Sequence, residues 1–282
     1  MYYYNLSSGI KMPMLNLGTY QIPNNEMERV LTEAKELGYQ GIDSAGAYNN
    51  EEAIGKALEK LGKNSFFITS KVDVRQFVDK TINGRKKTAL DCFDETANYL
   101  GVNYIDLYLV HWPIEEYFLN MWRDLEKLYE EKRVGAIGVS NCQIKHLEYL
   151  FANANIKPMF NQFECHPLMS RRELVEFCQD HGMQVEAHSP FAWGNKSLVE
   201  NGDMAGIAAK HNKSITQIIS RWDIQHGVAL CPKSTHRERL AQNIDIFDFE
   251  LSEEEMTYID SLNSNSSVYD KKKKDVYSQL YK

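Results

Sequence analysis

Short apolar runs alternate with segments of helical periodicity along most of the chain. Each run has the length of a β-strand and is bounded by turn residues or by the start of the next helical segment. Such runs lie at residues 15–18, 41–43, 66–71, 107–111, 136–140, 160–164, 185–189 and 228–232. Because the hydrophobic period changes after each run, the pattern predicts eight strands that alternate with helices.

Apolar residues recur at helical spacing between the predicted strands. The predicted helices occupy residues 27–37, 51–61, 88–100, 121–131, 144–152, 171–181 and 216–225. A last helix is predicted to begin after Ser252, where the sequence Ser-Glu-Glu-Glu is typical of a capping box. The acidic side chains there also face the positive end of the helix dipole.

This alternation favours a closed parallel barrel. A chain of 282 residues has the size of one (β/α)8 TIM barrel. An open dinucleotide-binding sheet would need a G-x-G-x-x-G turn after its first strand, but LNLGTYQIP has a single glycine there. We therefore predict an α/β fold with one domain over residues 1–282, a short amino-terminal hairpin around Ser7-Ser8-Gly9 and a polar carboxy-terminal tail from Ser264.

Composition narrows the partners that we expect. The formal net charge is -7, and residues 271–274 form the only dense basic run, which argues against binding to nucleic acid. No stretch of about 18 apolar residues predicts a membrane span, and the amino terminus has no signal-peptide pattern, so we expect a cytoplasmic monomer. The five cysteines are widely spaced without a C-x-x-C pair, which indicates reduced, buried thiols.

Four polar side chains stand at the ends of predicted strands or just beyond them. Asp43, Lys71 and His111 each close a predicted strand, and Tyr48 lies in the loop after Asp43. Because the carboxyl ends of the strands converge at one mouth of a barrel, we expect these side chains to meet there. A nearby carboxylate would offset the loss of hydration at Lys71, and Asp43 is the candidate for it.

These side-chain types suit addition to a carbonyl group. A phenol is a weak acid with an unperturbed pKa of about 10, but an adjacent ammonium stabilises the phenolate and makes the phenol a usable proton donor. Tyr48 beside Lys71 would act in this way, and His111 would orient the carbonyl oxygen by a hydrogen bond. Each feature taken alone is more often structural, but here they coincide at successive strand ends.

A basic cluster follows the last predicted strand, in the segment CPKSTHRERLAQN at residues 231–243. The helix dipole disfavours cations at the start of a helix, so a bound anion would account for them. Free amides of a first helical turn, hydroxyl groups, a lysine and an arginine make a phosphate site, and barrel enzymes frequently place one at this position. The same pattern is also compatible with a solvated basic helix face.

Six motifs, in this order, resemble those of the aldo-keto reductases, a family of NADPH-dependent carbonyl reductases on the (β/α)8 barrel. The motifs are GIDSAGAYNNEEAIG at 41–55, ITSK at 68–71, DLYLVHWP at 106–113, IGVSN at 137–141, NQFECHP at 161–167 and PKSTHRERLAQN at 232–243. The resemblance covers almost the whole chain. It implies an oxidoreductase that transfers hydride from NADPH to the carbonyl carbon of a small-molecule aldehyde or ketone and yields an alcohol.

The resemblance also implies roles for individual residues. Asp43, Tyr48, Lys71 and His111 would form the catalytic tetrad, with Tyr48 as general acid. The residues implied in binding the cofactor, NADPH or NADP+, are Thr19, Asp43, Ser140, Asn141, Gln162, His188, Ser189, Phe191, Lys233, Ser234, Thr235, Arg239, Gln242 and Asn243. Those implied in binding substrate are Tyr20, Tyr48, His111 and Trp112, and no metal is implied.

The implied cofactor contacts fall into groups. Ser140, Asn141 and Gln162 would hold the nicotinamide carboxamide. The lysine, serine, threonine and arginine of residues 233–239 would grip the 2'-phosphate, and the two amides of residues 242–243 would contact adenine. His188 departs from the family, because it stands where the family places an aromatic ring that stacks on nicotinamide. An imidazole offers less stacking area, so we expect weaker packing at this position.

Two other functions stay open. Asp43, His111, His166 and His188 near strand ends could be ligands of a metal-dependent barrel hydrolase, although this leaves the strand-end lysine and tyrosine without a role. A non-catalytic NADPH-binding sensor or partner subunit would share the barrel, since a fold alone does not establish turnover.

Overall fold

In a computed structural model, which describes residues 2–75, 81–82 and 85–269, the chain begins with the hairpin that the sequence predicts. Strands β1 (Tyr3–Asn5) and β2 (Lys11–Pro13) pair antiparallel, with Tyr4 opposite Met12. Gly9 lies in the turn with φ of +87°, a left-handed conformation that glycine adopts without a steric penalty.

Eight parallel strands follow and close into a barrel. The remaining strands in chain order are β3 (Leu17–Gly18), β4 (Gly41–Asp43), β5 (Phe67–Val72), β6 (Thr81–Ile82), β7 (Arg85–Lys86), β8 (Ile105–Val110), β9 (Val134–Ser140), β10 (Phe160–Glu164), β11 (Gln184–His188) and β12 (Ala229–Leu230). All except the small antiparallel pair β6–β7 are hydrogen-bonded in one sheet, in the order β3-β4-β5-β8-β9-β10-β11-β12. A parallel bridge from Leu15 to Leu230 joins the two edges, which confirms the predicted (β/α)8 barrel.

Helices connect the strands and cover the barrel. In the described part of the chain they are α1 (Met27–Glu36), α2 (Glu51–Leu61), α3 (Ala89–Leu100), α4 (Phe118–Glu130), α5 (Ile144–Asn153), α6 (Arg172–Asp180), α7 (Lys196–Val199), α8 (Gly202–His211), α9 (Ile215–Gln225), α10 (Arg237–Ile244) and α11 (Glu253–Ser261). Helices α7 and α8 were not predicted, because their apolar spacing is weak. The capping box at Ser252 is confirmed, since its hydroxyl accepts from the Glu255 amide.

Amphipathic helices pack one face on the sheet. In α1 the buried residues Met27, Val30, Leu31 and Ala34 recur at the spacing of one helix face. The strands beneath are largely buried on both faces, as in other parallel sheets, so they read as mostly apolar runs. This difference in period is what made the elements predictable from the sequence.

Four carboxyl ends of strands differ from the prediction, those of β5, β8 and β11 by one residue and that of β12 by two, and the first two carry site residues. Strand β5 continues to Val72, which pairs with Val110, so Lys71 is the penultimate residue of its strand. Strand β8 ends at Val110, so His111 follows the strand instead of closing it. Ladder hydrogen bonding between β5 and β8 decides these ends, and hydropathy alone does not reveal it.

The described part of the polar tail docks on the barrel. The amides of Ser264 and Ser266 donate to the Leu168 carbonyl at 3.3 and 3.0 Å. Glu164, at the end of β10, then accepts from the Ser267 hydroxyl and, at 2.7 Å, from the Val268 amide. These bonds place Tyr269 next to the mouth of the barrel, whereas the basic run at residues 271–274 lies outside the described residues.

The burial of the cysteines agrees with the prediction made from the sequence. All five cysteines are buried and unbonded to each other, which confirms the prediction of reduced thiols. Within residues 2–75, 81–82 and 85–269, we find no helix with the length and apolar character that a membrane span requires.

Candidate active site

The lysine and aspartate at neighbouring strand ends form a buried ion pair. Lys71 Nζ lies 2.7 and 2.8 Å from the two carboxylate oxygens of Asp43, and it also donates to the Ser44 carbonyl at 2.8 Å. Lys71 is 0% exposed and Asp43 is 3% exposed. Strand pairing sets Asp43 opposite Thr69, and Lys71 lies two residues further on the same face. Because a buried ammonium is costly without a partner, this carboxylate holds it in place.

Tyr48 reaches the same ammonium from a short turn. The 3-10 turn Gly46–Tyr48 follows β4 and ends at Asn49, whose φ of 56° is left-handed. The phenol oxygen lies 3.5 Å from Lys71 Nζ, and the ammonium lies 5.2 Å from the centre of the tyrosine ring. An ammonium at this position stabilises negative charge on the phenol oxygen.

His111 completes the group of four side chains, which we call the tetrad (Asp43, Tyr48, Lys71 and His111). Its ring meets that of Tyr48 edge to face, with centroids 5.8 Å apart. Burial, and secondarily the charge of Lys71, hold the pKa of His111 well below its usual value. The imidazole is therefore neutral at pH 7 and carries one N–H that can donate a hydrogen bond.

A second carboxylate lies beside the ion pair. Gln162 Nε2 donates to Asp43 Oδ2 at 2.8 Å and to Glu186 Oε2 at 2.5 Å. Glu186 is fully buried, and burial together with the charge of Asp43 raises its pKa to about 7. The sequence analysis did not select Glu186, although a charged residue inside the apolar run 185–189 was a signal for it.

Asn141 and His188 are joined by a hydrogen bond. Asn141 Nδ2 donates to the His111 carbonyl at 3.0 Å and to Ser140 Oγ at 3.1 Å. Its Oδ1 lies 3.0 Å from His188 Nε2, so Nε2 carries the proton and donates. Burial lowers the pKa of His188 to about 4, which keeps this imidazole neutral at physiological pH. His188 therefore braces Asn141 in addition to lining the mouth.

A cleft of about 820 Å³ runs from the tetrad to the basic segment. The predicted cofactor and substrate residues that line it are Tyr20, Asp43, Tyr48, His111, Trp112, Ser140, Asn141, Gln162, His188, Ser189, Phe191, Lys233, Ser234, Arg239, Gln242 and Asn243. Thr19 and Thr235 are not in this lining. The Thr19 hydroxyl is buried and donates to the Asp43 carbonyl at 2.9 Å, and the Thr235 carbonyl accepts from Arg29 at 3.0 Å.

The far end of the cleft fits an anionic cofactor. Lys233 and Arg239 line the cleft, and neither has an ion-pair partner among the described residues. Ser234, which is buried, accepts from the His236 amide at 3.1 Å just before α10 begins. Arg237 differs, because it forms an ion pair with Glu36 of α1 at 2.6 Å. Two uncompensated cations beside a helix start are the donor set that a phosphate group needs.

The ligands of the alternative metal site do not converge. In the ranges that the structure describes, the group of potential ligand atoms that comes within 4.8 Å of one another is Asp43, Glu186 and Cys231. His111, His166 and His188 are not part of it, and His166 instead pairs with Glu164 at 2.9 Å. The histidine cluster that the alternative barrel hydrolase requires is therefore not formed among the described residues.

Tyr269 is a mouth residue that the sequence analysis did not identify. Its ring lies edge-on to those of Trp193, His188 and Trp112, at centroid distances of 5.3, 6.0 and 6.4 Å. No local pattern could have indicated this contact, because the docking of the tail on Glu164 decides it.

Comparison with known proteins assigns most of the chain to the family that its motifs resemble. The model of the aldo/keto reductase family matches residues 13–264. The chain is 43% identical over 266 residues to the glyoxal reductase of Bacillus subtilis (strain 168), covering 93% of each chain. It is 36% identical over 267 residues to the methylglyoxal reductase DkgA of Escherichia coli (strain K12), covering 93% of this chain and 94% of that one. The solved structure of a Bombyx mori aldo-keto reductase in complex with NADP aligns with a TM-score of 0.85 at 29% identity and covers 96% of both chains.

Barrel, cleft and relatives together define an oxidoreductase that depends on a nicotinamide nucleotide. The chain belongs to the aldo/keto reductase family. It is an NADP-dependent enzyme of that family, and carbonyl reduction is its general reaction.

We expect the cofactor preference to depend on the two uncompensated cations. Replacing both in Lys233→Ala/Arg239→Ala should raise the Kd for NADPH by about 10- to 100-fold, because charge-assisted hydrogen bonds to the additional phosphate are lost. The Kd for NADH should change little, as NADH has no 2'-phosphate. Both values follow from titration of the protein fluorescence.

Arg237→Ala is the matched control, since this neighbouring arginine pairs with Glu36 and does not line the cleft. It should leave the NADPH affinity near that of the wild type. Equal weakening of NADPH and NADH binding by the double variant would contradict a phosphate grip at this site.

Proposed function

We propose that the protein transfers hydride from NADPH to small aldehydes and ketones, with Tyr48 as the general acid. The observation that carries this proposal is the convergence on Lys71, whose ammonium lies 2.7 Å from Asp43 and 3.5 Å from the Tyr48 oxygen at the wall of the cleft. Such a triad ties a proton donor to a fixed positive charge. A purely structural ion pair would not require a phenol oxygen next to the ammonium.

The proton path uses the chain's own side chains. Tyr48 would donate its phenolic proton to the carbonyl oxygen as charge develops there, and Lys71 would stabilise the phenolate that is left. Asp43 would keep the ammonium in position. The neutral His111 would donate its N–H to the same carbonyl oxygen and so fix the orientation of the substrate.

The cofactor, when bound, supplies the hydride. We propose that Ser140, Asn141 and Gln162 hold its carboxamide, because all three line the cleft and Gln162 contacts Asp43 of the tetrad. His188, braced by Asn141, would pack against the nicotinamide ring. Lys233 would hold the phosphate at the other end of the cleft, together with the arginine of α10.

The substrate pocket is walled by aromatic rings. Tyr20 packs on Tyr48 with ring centroids 4.9 Å apart, and Trp112, Trp193 and Tyr269 stand around the same mouth. Such a wall leaves room for a small carbonyl compound and provides apolar contact. Because two relatives are named for glyoxal and methylglyoxal reduction, we propose that small 2-oxoaldehydes are substrates of this protein.

A substrate panel tests this proposal. We would follow NADPH consumption with glyoxal, methylglyoxal, a simple ketone and a ketosteroid. The kcat/KM for the 2-oxoaldehydes should exceed that for the ketosteroid by about tenfold or more, if this chain shares the small substrates for which the two relatives are named. Tight NADPH binding without turnover of any carbonyl would instead identify a cofactor-binding sensor.

The setting of the reaction is part of the proposal. We propose that residues 1–282 act as one domain and as a monomer in the cytoplasm. The buried, unpaired state of all five thiols is compatible with a reducing compartment. A monomer mass of 32.6 kDa by light scattering would support the oligomeric state, and a larger mass would contradict it.

A further inference from the structure

We infer that Glu186 is a positioning residue that fixes the amide of Gln162, with its nitrogen toward the buried carboxylates and its oxygen left to accept a hydrogen bond from the amide nitrogen of nicotinamide. The inference rests on the proposed binding of the carboxamide at Gln162. It concerns a residue for which the reaction itself gives no role.

The contacts of Glu186 make it an anchor. It lies in β11 directly opposite Gln162 of β10, so the two side chains face the same side of the parallel ladder. One carboxylate oxygen accepts from Gln162 Nε2, and the other accepts from Asn16 Nδ2 at 2.6 Å. The side chain is 0% exposed, so no water competes for these bonds. Asn16 in turn is tied to the Pro13 carbonyl.

The hydrogen-bonding capacity of Gln162 then determines its orientation. An amide nitrogen has two hydrogens, and here one goes to Asp43 and the other to Glu186. Carboxylates only accept, so a flipped amide would set its oxygen against two negatively charged groups. Asp43 accepts one of the two hydrogens, and apart from Glu186 the other could reach, among the described residues, only Cys231 Sγ, a weak acceptor at 3.8 Å. Glu186 therefore completes the set of acceptors that holds the amide in one state.

This orientation makes Gln162 selective. With both N–H groups committed, only its oxygen can take part in binding, and an oxygen requires a donor on the ligand. The nicotinamide carboxamide has such a donor in its NH2 group. A cofactor with a methyl ketone in place of the carboxamide keeps the carbonyl but lacks this donor.

The protonation state of Glu186 determines the pH at which binding should be measured. Burial and Asp43 raise the pKa of Glu186 to about 7, whereas the hydrogen bonds from Asn16 and Gln162 favour its ionised form. At about pH 8.5 the carboxylate is ionised and accepts only. We therefore place the binding measurements there.

The test compares the binding of two cofactors, reduced NADP and its reduced 3-acetylpyridine analogue, in which the amide nitrogen is a methyl group. Wild type should bind NADPH about tenfold more tightly than the analogue, as expected for one lost hydrogen bond. Glu186→Leu should bring the ratio of the two Kd values close to one. Glu186→Gln keeps an accepting oxygen and should retain most of the preference.

Two variants guard against misfolding and loss of a buried charge. If Glu186→Leu does not fold, Glu186→Ala, which leaves room for water, is measured in its place. Glu126→Gln removes another buried carboxylate, which accepts from the amides of Asn155 and Ile156 and neither contacts Gln162 nor lines the cleft. Its ratio of Kd values should equal that of the wild type.

An unchanged ratio in Glu186→Leu and Glu186→Ala would overturn the inference. Equal binding of the two cofactors by the wild type would overturn it as well, since Gln162 would then make no bond to the amide nitrogen. Neither outcome affects the proposed reaction, which depends on NADPH consumption with a carbonyl substrate and is measured separately.

Discussion

Tyr48→Phe is expected to lower kcat/KM for every carbonyl substrate by about 10²- to 10⁴-fold, the usual contribution of a positioned general acid. The change removes one oxygen and keeps the ring, which packs on Tyr20 and lies over the Lys71 ammonium. The proton would then have to come from water, which has no fixed position between the Lys71 ammonium and the carbonyl oxygen. Stopped-flow or steady-state measurement of NADPH consumption gives the value.

Cofactor binding is the control for this variant. The phenol oxygen contacts Lys71 and not the basic segment, so the Kd for NADPH should remain within about twofold of the wild type. A variant that keeps full turnover would exclude Tyr48 as the acid. Loss of NADPH binding together with turnover would instead indicate a role in the architecture of the cleft.

Lys71→Met is expected to destabilise the protein by about 3–5 kcal/mol, because it leaves a buried carboxylate without its cation. Asp43 would lose both of its charge-assisted hydrogen bonds, and Glu186 would remain as a second carboxylate nearby. Turnover should fall by at least as much as in Tyr48→Phe, since the phenolate would lose its stabilising charge. Urea denaturation gives the free energy of unfolding.

The pH dependence of Lys71→Met provides a second readout. The folded pKa of Glu186, about 7, lies above the ordinary carboxyl value of 4.5, so the folded protein binds a proton more tightly than the unfolded chain does. The stability that this group contributes is present at low pH and is lost as the pH rises through 7. Removing the neighbouring ammonium should raise the folded pKa of Glu186 further, so that the loss becomes larger and extends to higher pH.

Two further variants test whether loss of the buried ion pair causes the destabilisation expected for Lys71→Met. Lys56→Met breaks an ion pair with Glu52 on the surface of α2, where both side chains are largely exposed, and should cause no measurable change. Asp43→Asn/Lys71→Met removes both buried charges and should be more stable than Lys71→Met alone. If Lys71→Met had wild-type stability, the ammonium would not be the partner that allows Asp43 to be buried.

The helices and strands were predictable because the two kinds of element differ in the period of their apolar residues. Parallel strands such as β8 are largely buried on both faces and read as mostly apolar runs, and α1 reads as one apolar face. Helices α7 and α8 escaped prediction because asparagine caps and glycine at their starts resemble a loop. The exact ends of β5 and β8 depend on pairing between strands, which no single segment encodes.

The sequence by itself determined the barrel, the family and the meeting of the four tetrad side chains, because these lie in short motifs at or next to the carboxyl ends of strands, and barrel closure must bring those ends together. Only the tertiary structure decided which side chains surround them. Glu186 beside Asp43, the bond from His188 to Asn141 and the placement of Tyr269 by Glu164 are contacts between distant segments. Their partners follow from burial and strand register, and these properties belong to the folded chain as a whole.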